Sequence, residues 1–248
     1  MKSETGARGA GLNGQLTLGM RLRDSSVFAS YHAGPNAHVV EVLRSALAGD
    51  SPMCLWLHGT RGVGKTHLLQ AVCAAAGERG DPAAYLPMRE LLSSEPDRLT
   101  GLAGMPFVCV DDVDVAASHA QWERGLFNLY REIEERGGRL ILASEAVPSS
   151  VGYNLRDLAS RLSASLVLTL QSLDDDDHVK ALQLRARQRG FELPDESAQY
   201  LLRRLPREMA SLYAFLDQLD EASLVAQRRL TVPFVKEVLE GRPSRVTK

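Results

Sequence analysis

The sequence predicts an α/β fold: a parallel sheet wrapped by helices, with a small all-helical domain behind it. Three observations predict it. Short apolar runs alternate with helical patterns between residues 53 and 170, the arrangement that builds a doubly wound sheet. The first of those runs opens through a glycine-rich loop into a helical pattern, Gly59-Thr60-Arg61-Gly62-Val63-Gly64-Lys65-Thr66. After residue 171 only helical segments follow.

Composition narrows the function classes. The 248 residues allow one large domain, or a medium one with a small one. Hydrophobic content is 44% and charged content 24%, an ordinary globular profile. A formal net charge of −2 argues against bulk electrostatic attraction to nucleic acid. Cys54, Cys73 and Cys109 lie in apolar runs with no C-x-x-C pair, so they read as buried thilols of a reducing cytosol. The polar stretch Met1 to Gly14 has no apolar signal core and is expected to be disordered. No apolar run approaches a membrane span, so a cytoplasmic protein without a membrane partner is expected.

Taken in order, the first feature is an apolar island in the polar tail, Gln15-Leu16-Thr17-Leu18-Gly19-Met20. It reads either as a strand end docked on the domain or as a linear peptide for a partner's groove. Gly34-Pro35-Asn36 is a turn signal, and Val39, Val40, Leu43 and Leu47 sit at helical spacing. Met53 to Leu57 is a strand leading into the glycine loop. Strand, glycine loop and helix are the context in which G-x-x-x-x-G-K-[ST] binds nucleotide. The glycines let successive N–H groups converge on an anion, and the helix adds its positive dipole end. Lys65 then reaches the β- and γ-phosphates, and the Thr66 hydroxyl ligates Mg²⁺.

Ala83 to Pro87 is a short strand, and Met88 to Leu99 a short helix interrupted at Glu95-Pro96. Phe107-Val108-Cys109-Val110 has no alternation, as in a strand buried on both faces, and runs into Asp111-Asp112. Acidic residues at that sheet edge hold Mg²⁺ beside the loop threonine, although the pair also fits a helix cap. Trp122, Leu126, Leu129, Tyr130 and Ile133 mark the next helix, which Gly137-Gly138 stops. Leu140 to Ser144 is a buried strand, with Ser144 either facing a phosphate or simply ending the strand. A short helix, Leu155 to Leu162, carries Arg161, and Leu166 to Leu170 is the last strand. The run Asp174 to Asp177 caps a helix whose other end holds Arg185, Arg187 and Arg189. Pro194, Pro206 and Pro233 are placed near the starts of three further helices.

From about residue 24 to about residue 240 these motifs resemble the AAA+ family, and within it the replication-initiator group typified by DnaA. The resemblance implies an AAA+ P-loop NTPase core with a five-stranded parallel sheet, then a helical lid. Domains are expected at 1–23 (tail), 24–170 (nucleotide-binding α/β domain) and 171–248 (lid). The loop residues Gly59, Thr60, Arg61, Gly62, Val63, Gly64, Lys65 and Thr66, with His67, would cradle ADP or ATP. Thr66 and Asp111 would hold Mg²⁺; Asp112, in the Asp-Asp form of Walker B, and Ser144, in the sensor 1 position, are catalytic candidates. Phe28, Gly34 and Asn36 resemble the adenine-contacting segment, and Leu205 to Met209 the sensor 2 segment, with Arg207 on the nucleotide. Leu158 to Leu162 resembles the segment that carries an arginine finger, so Arg161 would act in trans.

Gln15, Leu16, Leu18 and Met20 look like a bacterial sliding-clamp-binding peptide, although Gly19 departs from its usual ending. With 248 residues, no helix-turn-helix DNA-reading domain is expected after the lid. Together these features resemble the DnaA-homologous regulators. The implied partners are ATP-bound DnaA, the β-subunit clamp of DNA polymerase III, and DNA indirectly through the clamp. The resemblance also allows a homodimer or higher oligomer. It implies an activator of another protein's hydrolysis, with weak intrinsic ATPase activity at most. Alternatives are a self-assembling ATPase, a helicase loader of the DnaC type and a generic P-loop interaction module.

Overall fold

The computed structural model describes residues 26–241. Five parallel strands form one sheet in the order β2-β3-β4-β1-β5: β1 (Cys54–His58), β2 (Ala83–Pro87), β3 (Phe107–Asp111), β4 (Arg139–Ser144) and β5 (Leu166–Thr169). A five-stranded parallel sheet followed by a small helical domain is the arrangement expected from the motifs. β1 pairs with β4, placing His58 opposite Ser144, and with β5, placing His58 opposite Thr169. The chain leaves β1 through a helix and returns at the far edge, in β2. The C-terminal strand ends next to β1 are therefore the crevice where such sheets hold ligands.

Both sheet faces are covered, because side chains alternate along each strand. Trp56, Val108, Val110, Leu140 and Leu142 face α4 (Ala120–Arg136) and α5 (Arg156–Ser163). Leu55, Leu57, Cys109 and Ile141 face α1 (Ala37–Leu47) and α2 (Lys65–Glu78). At the sheet edge β5 is half covered: Leu166 is 39% and Val167 37% exposed. The lid is α6 (Asp175–Gln188), α7 (Asp195–Arg204), α8 (Met209–Ala226) and α9 (Val232–Leu239) around a core of its own that includes Leu182, Leu201, Leu216 and Phe234.

Local chemistry accounts for most boundaries. The Asp174 side chain accepts from the Asp177 N–H at 2.8 Å and caps α6. Gly137 ends α4 with a left-handed φ of 70°. The helix expected from Met88 to Leu99 is instead α3 (Met88–Leu91) and a separate 3₁₀ turn, Pro96–Leu99. The Ser93 and Ser94 hydroxyls take the Glu90 and Leu91 carbonyls at the end of α3, and Pro96, with no N–H to donate, opens the separate turn. Pro206 lies in the connector before α8 and not in its first turn, whereas Pro233 is in the first turn of α9. All three cysteines are free and buried, and burial pushes the Cys54 thiol up to about 12. Among the described residues no helix is long and apolar enough to cross a membrane.

Candidate functional site

The glycine loop sits at the C-terminal end of β1. Gly62 and Gly64 adopt φ of 81° and 104°, which favour glycine. A side chain at Gly64 would also begin 2.7 Å from the Tyr31 ring. Gly59 is excluded from growing a side chain by packing: its Cβ would lie 3.0 Å from the Leu170 carbonyl oxygen. The loop leads into α2 through Gly64, so unpaired N–H groups of the first helical turn face the cradle.

Lys65 is only 7% exposed and folds over its own loop, donating to the carbonyls of Gly59 at 2.6 Å and Thr60 at 3.0 Å. Burial lowers the ammonium pKa; the carboxylates of Glu145, Asp111, Asp112 and Asp114 oppose that shift. The Thr66 hydroxyl donates to Asp111 Oδ2 at 2.6 Å, and Tyr85 donates to the same oxygen at 2.9 Å. The Asp112 N–H closes on Asp111 Oδ1 at 3.1 Å. Burial raises the Asp111 carboxyl, while the Thr66 and Tyr85 hydrogen bonds lower it. A hydroxyl and a carboxylate already in contact at the loop mouth suit an oxygen-ligated cation such as Mg²⁺. Glycines that leave room for phosphate oxygens suit the nucleotide. The residues present therefore fit both groups.

The other residues singled out by sequence fall into three sets. Ser144 ends β4 beside β1, but it is fully buried and its Oγ accepts from the Ala146 N–H at 2.9 Å. Asp112 has a left-handed φ of 51° and heads a 3₁₀ turn without capping it; its carboxylate instead pairs with Arg89 at 2.6 Å. Thr60 and Arg61 are exposed, and Val63 lines Gly59.

His67 turns from the loop toward the segment before α1. Its Nε2 lies 3.1 Å from both the Val27 carbonyl and Ser30 Oγ. Since a carbonyl only accepts, Nε2 carries the proton. Phe28 packs on the α1–α2 layer with the Arg44 guanidinium 5.1 Å over its ring. Asn36 is 2% exposed and bridges to the start of the lid: its Oδ1 accepts from the Gln171 N–H at 2.7 Å and its Nδ2 donates to the Gln171 carbonyl at 2.9 Å. Asn36 thus holds the domain junction, and its amide is committed to that backbone.

Arg207 lies between α7 and α8, pairs with Asp175 at 2.9 Å and keeps its side chain 65% exposed. Its neighbour Glu208 reaches the loop, with Cγ 3.5 Å from where a Gly62 side chain would begin. The buried His178 ring, between the Asp174 and Arg207 carbonyls at 2.6 and 3.0 Å, ties that connector to α6. Arg161 stands apart from the loop on α5. Its side chain is 38% exposed, pairs with Glu134 at 2.8 Å and rests over Tyr130 and Phe127. Gln15, Leu16, Leu18 and Met20 lie outside the described residues.

Sequence reasoning missed Tyr31, Tyr85, Arg89 and Glu208. Tyr31 covers Gly64, meets the His67 ring at a 52° tilt with centroids 5.4 Å apart, and is pushed up to about 12 by burial. Gly34 is pinched against the lid, since its Cβ would meet the Asp177 carboxylate at 2.9 Å. The turn signal Gly34-Pro35-Asn36 and the resemblance of Gly34 to an adenine-contacting segment pointed to this place, but not to its crowding.

Residues 174–239 match the family model described as Hda, lid domain. Domain III of the replication initiation protein DnaA from Thermotoga maritima is similar in fold: TM-score 0.75, 17% identity, covering 90% of this chain and 99% of that one. So is a replication initiator DnaA bound to AMPPCP and single-stranded DNA, with TM-score 0.69, 20% identity, 89% of this chain and 70% of that one. The Thermotoga maritima RuvB Holliday junction branch migration motor is also similar, with TM-score 0.62, 16% identity, 83% of this chain and 69% of that one. The chain thus shares the fold of these structures, and its residues 174–239 form a lid of the Hda type.

Proposed function

We propose that this protein inactivates a DnaA-type initiator by donating Arg161 to ATP held by DnaA, and so prevents re-initiation of replication. The observation that carries the reading is the position of Arg161: surface-standing, and held by a half-exposed carboxylate and the aromatic residues Phe127 and Tyr130. A partner can take over such contacts at little cost, because exposed ion pairs contribute about 0–1 kcal/mol. The guanidinium is always charged and presents a planar fork of donors, suited to the charge that builds on a transferring phosphoryl group.

The chain's own cradle would hold ADP or ATP, as DnaA does with AMPPCP. Lys65 would leave the Gly59 and Thr60 carbonyls for the phosphates, and Thr66 and Asp111 would hold Mg²⁺. That cation would neutralise phosphate charge. With Asp112 engaged by Arg89 and Ser144 turned to backbone, this nucleotide mainly sets lid position and docking surface. Glu208 stands beside Gly62 of the loop, and Arg207 next to it would leave Asp175 to reach the nucleotide. The segment Gln15 to Met20 would tether the protein to the sliding clamp, and so to DNA in the bacterial cytoplasm.

The test is single-turnover hydrolysis by ATP-loaded DnaA in the presence of clamp on DNA. Arg161→Ala should still bind nucleotide and clamp, yet lose the stimulation by about 10³ or more, as expected for a finger supplied in trans. Full stimulation by that variant would remove the proposal.

A further inference from the structure

We infer that Glu123 is the positioning residue for Arg161: buried at the foot of α4, it fixes where α5 begins and so where the guanidinium at its other end points. The inference rests on the reading of Arg161 given above.

Glu123 is 1% exposed, and its carboxylate is spent on backbone N–H groups. Oε1 accepts from Ser118 at 2.9 Å and Asn154 at 3.2 Å; Oε2 accepts from Leu155 at 2.7 Å. Leu155 is the N-cap of α5 and has no side-chain acceptor of its own, so Glu123 caps that helix from another element. A carboxylate at a helix start also meets the positive end of the dipole, and its bonds to N–H groups are charge-assisted. Ser118 takes a positive φ of 67°, a conformation such a bond helps hold. Beside it the Tyr153 hydroxyl, on an 8% exposed residue, donates to the Val113 carbonyl at 3.1 Å. Residues 153–155 are thus bolted to residues 113–118, the segment that runs on from Asp111 and Asp112.

The geometry has a consequence for Arg161. At rest, both ends of α5 are held by α4: the start by Glu123, the end by Arg161 on Glu134, Phe127 and Tyr130. Donating the guanidinium to a partner gives up the second anchor. The burial of Leu158 and Leu162, which are 0% and 2% exposed, then holds the helix together with the Glu123 bonds and the Tyr153 bond just ahead of it. Apolar burial is non-directional and permits a helix to slide or turn. Hydrogen bonds to Leu155 and Asn154 do not. A finger must sit within about 0.5 Å of its productive position, and a displacement of about 1 Å can cost about 10² in rate.

Glu123→Gln keeps the size but turns an NH₂ group toward N–H donors. Leu155→Pro removes one donor from the other side of the same bond, at a φ of −77° that proline accepts. Each should lower the stimulation of DnaA hydrolysis about 10²-fold. Neither should change the affinity of this chain's own loop for nucleotide by more than about twofold, the scatter of independent sites. Added to Arg161→Ala, each should cause no further loss. A folded Glu123→Gln with normal stimulation would overturn the inference. So would a loss matched by weaker nucleotide binding, or one that persists on the Arg161→Ala background, since a merely structural role behaves that way. If Glu123→Gln fails to fold, Leu155→Pro decides by the same measures. Full stimulation by Arg161→Ala is a separate result: it removes the role of Arg161, and the positioning role falls with it.

Discussion

The glycine loop and the Arg161 edge are built in opposite ways. At the loop, Lys65 and Asp111 are 7% and 5% exposed, and their polar atoms are occupied by backbone or by Thr66 and Tyr85. At the Arg161 edge the pair with Glu134 leaves the two side chains 38% and 49% exposed. Buried charges must be paired and oriented in advance, because leaving them unpaired is expensive. Half-solvated charges can change partners cheaply. The loop is therefore organised to grip, and the Arg161 edge to let go.

The largest expected effect breaks the gripping side. Gly64→Ala places a side chain at a φ of 104°, 2.7 Å from the Tyr31 ring. Either Tyr31 moves or the loop does, and the left-handed conformation itself costs about 1–2 kcal/mol for an L-residue. Nucleotide affinity should fall by more than about 100-fold by calorimetric titration, since the cradle depends on converging N–H groups. Affinity within a few-fold of the parent would show that the loop is pliable rather than pre-formed.

A smaller effect tests the releasing side. Glu134→Ala deletes the resting partner of Arg161. Urea unfolding should shift by no more than about 1 kcal/mol, the usual range for an exposed pair. If the partner competes with Glu134 for the guanidinium, stimulation of DnaA hydrolysis should rise, by at most about fivefold for that energy. A fall of tenfold would instead make Glu134 part of the docking surface.

The two sides were not equally legible in the sequence. The loop was, because its chemistry is local: the glycines, Lys65 and Thr66 are adjacent, and Asp111 ends a run with no alternation. Positions 36 and 112 were found through motifs, but their partners were not. Asn36 bonds to Gln171, and Asp112 to Arg89, pairings that span 135 and 23 residues. Glu123 left no trace, since a glutamate in the first turn of an amphipathic helix looks like a solvated one. Only the fold brings Leu155, 32 residues on, to its oxygens. Likewise Leu166 and Val167 read only as part of the last strand; strand order places them at the sheet edge, where they are partly exposed.

The smallest effect comes from His67, which joins the loop helix to the segment at Val27 and Ser30. Burial lowers its pKa below the ordinary value of 6.5; the Val27 hydrogen bond opposes this, and Arg185 adds to it. The unfolded chain therefore binds a proton on this ring more readily than the folded one. Stability rises with pH wherever the unfolded state holds more protons. The contribution is thus complete above about pH 6.5 and is lost as the pH falls from there toward the folded-state value. Melting temperature should decline on acidification through that window. His67→Gln should melt lower than the parent at pH 7.5, because it loses the ring packing beside Tyr31, yet show a flatter slope below about pH 6.5. Equal slopes in the two proteins would assign the acid sensitivity to another group, and would leave His67 as a packing contact that serves the gripping side at every pH.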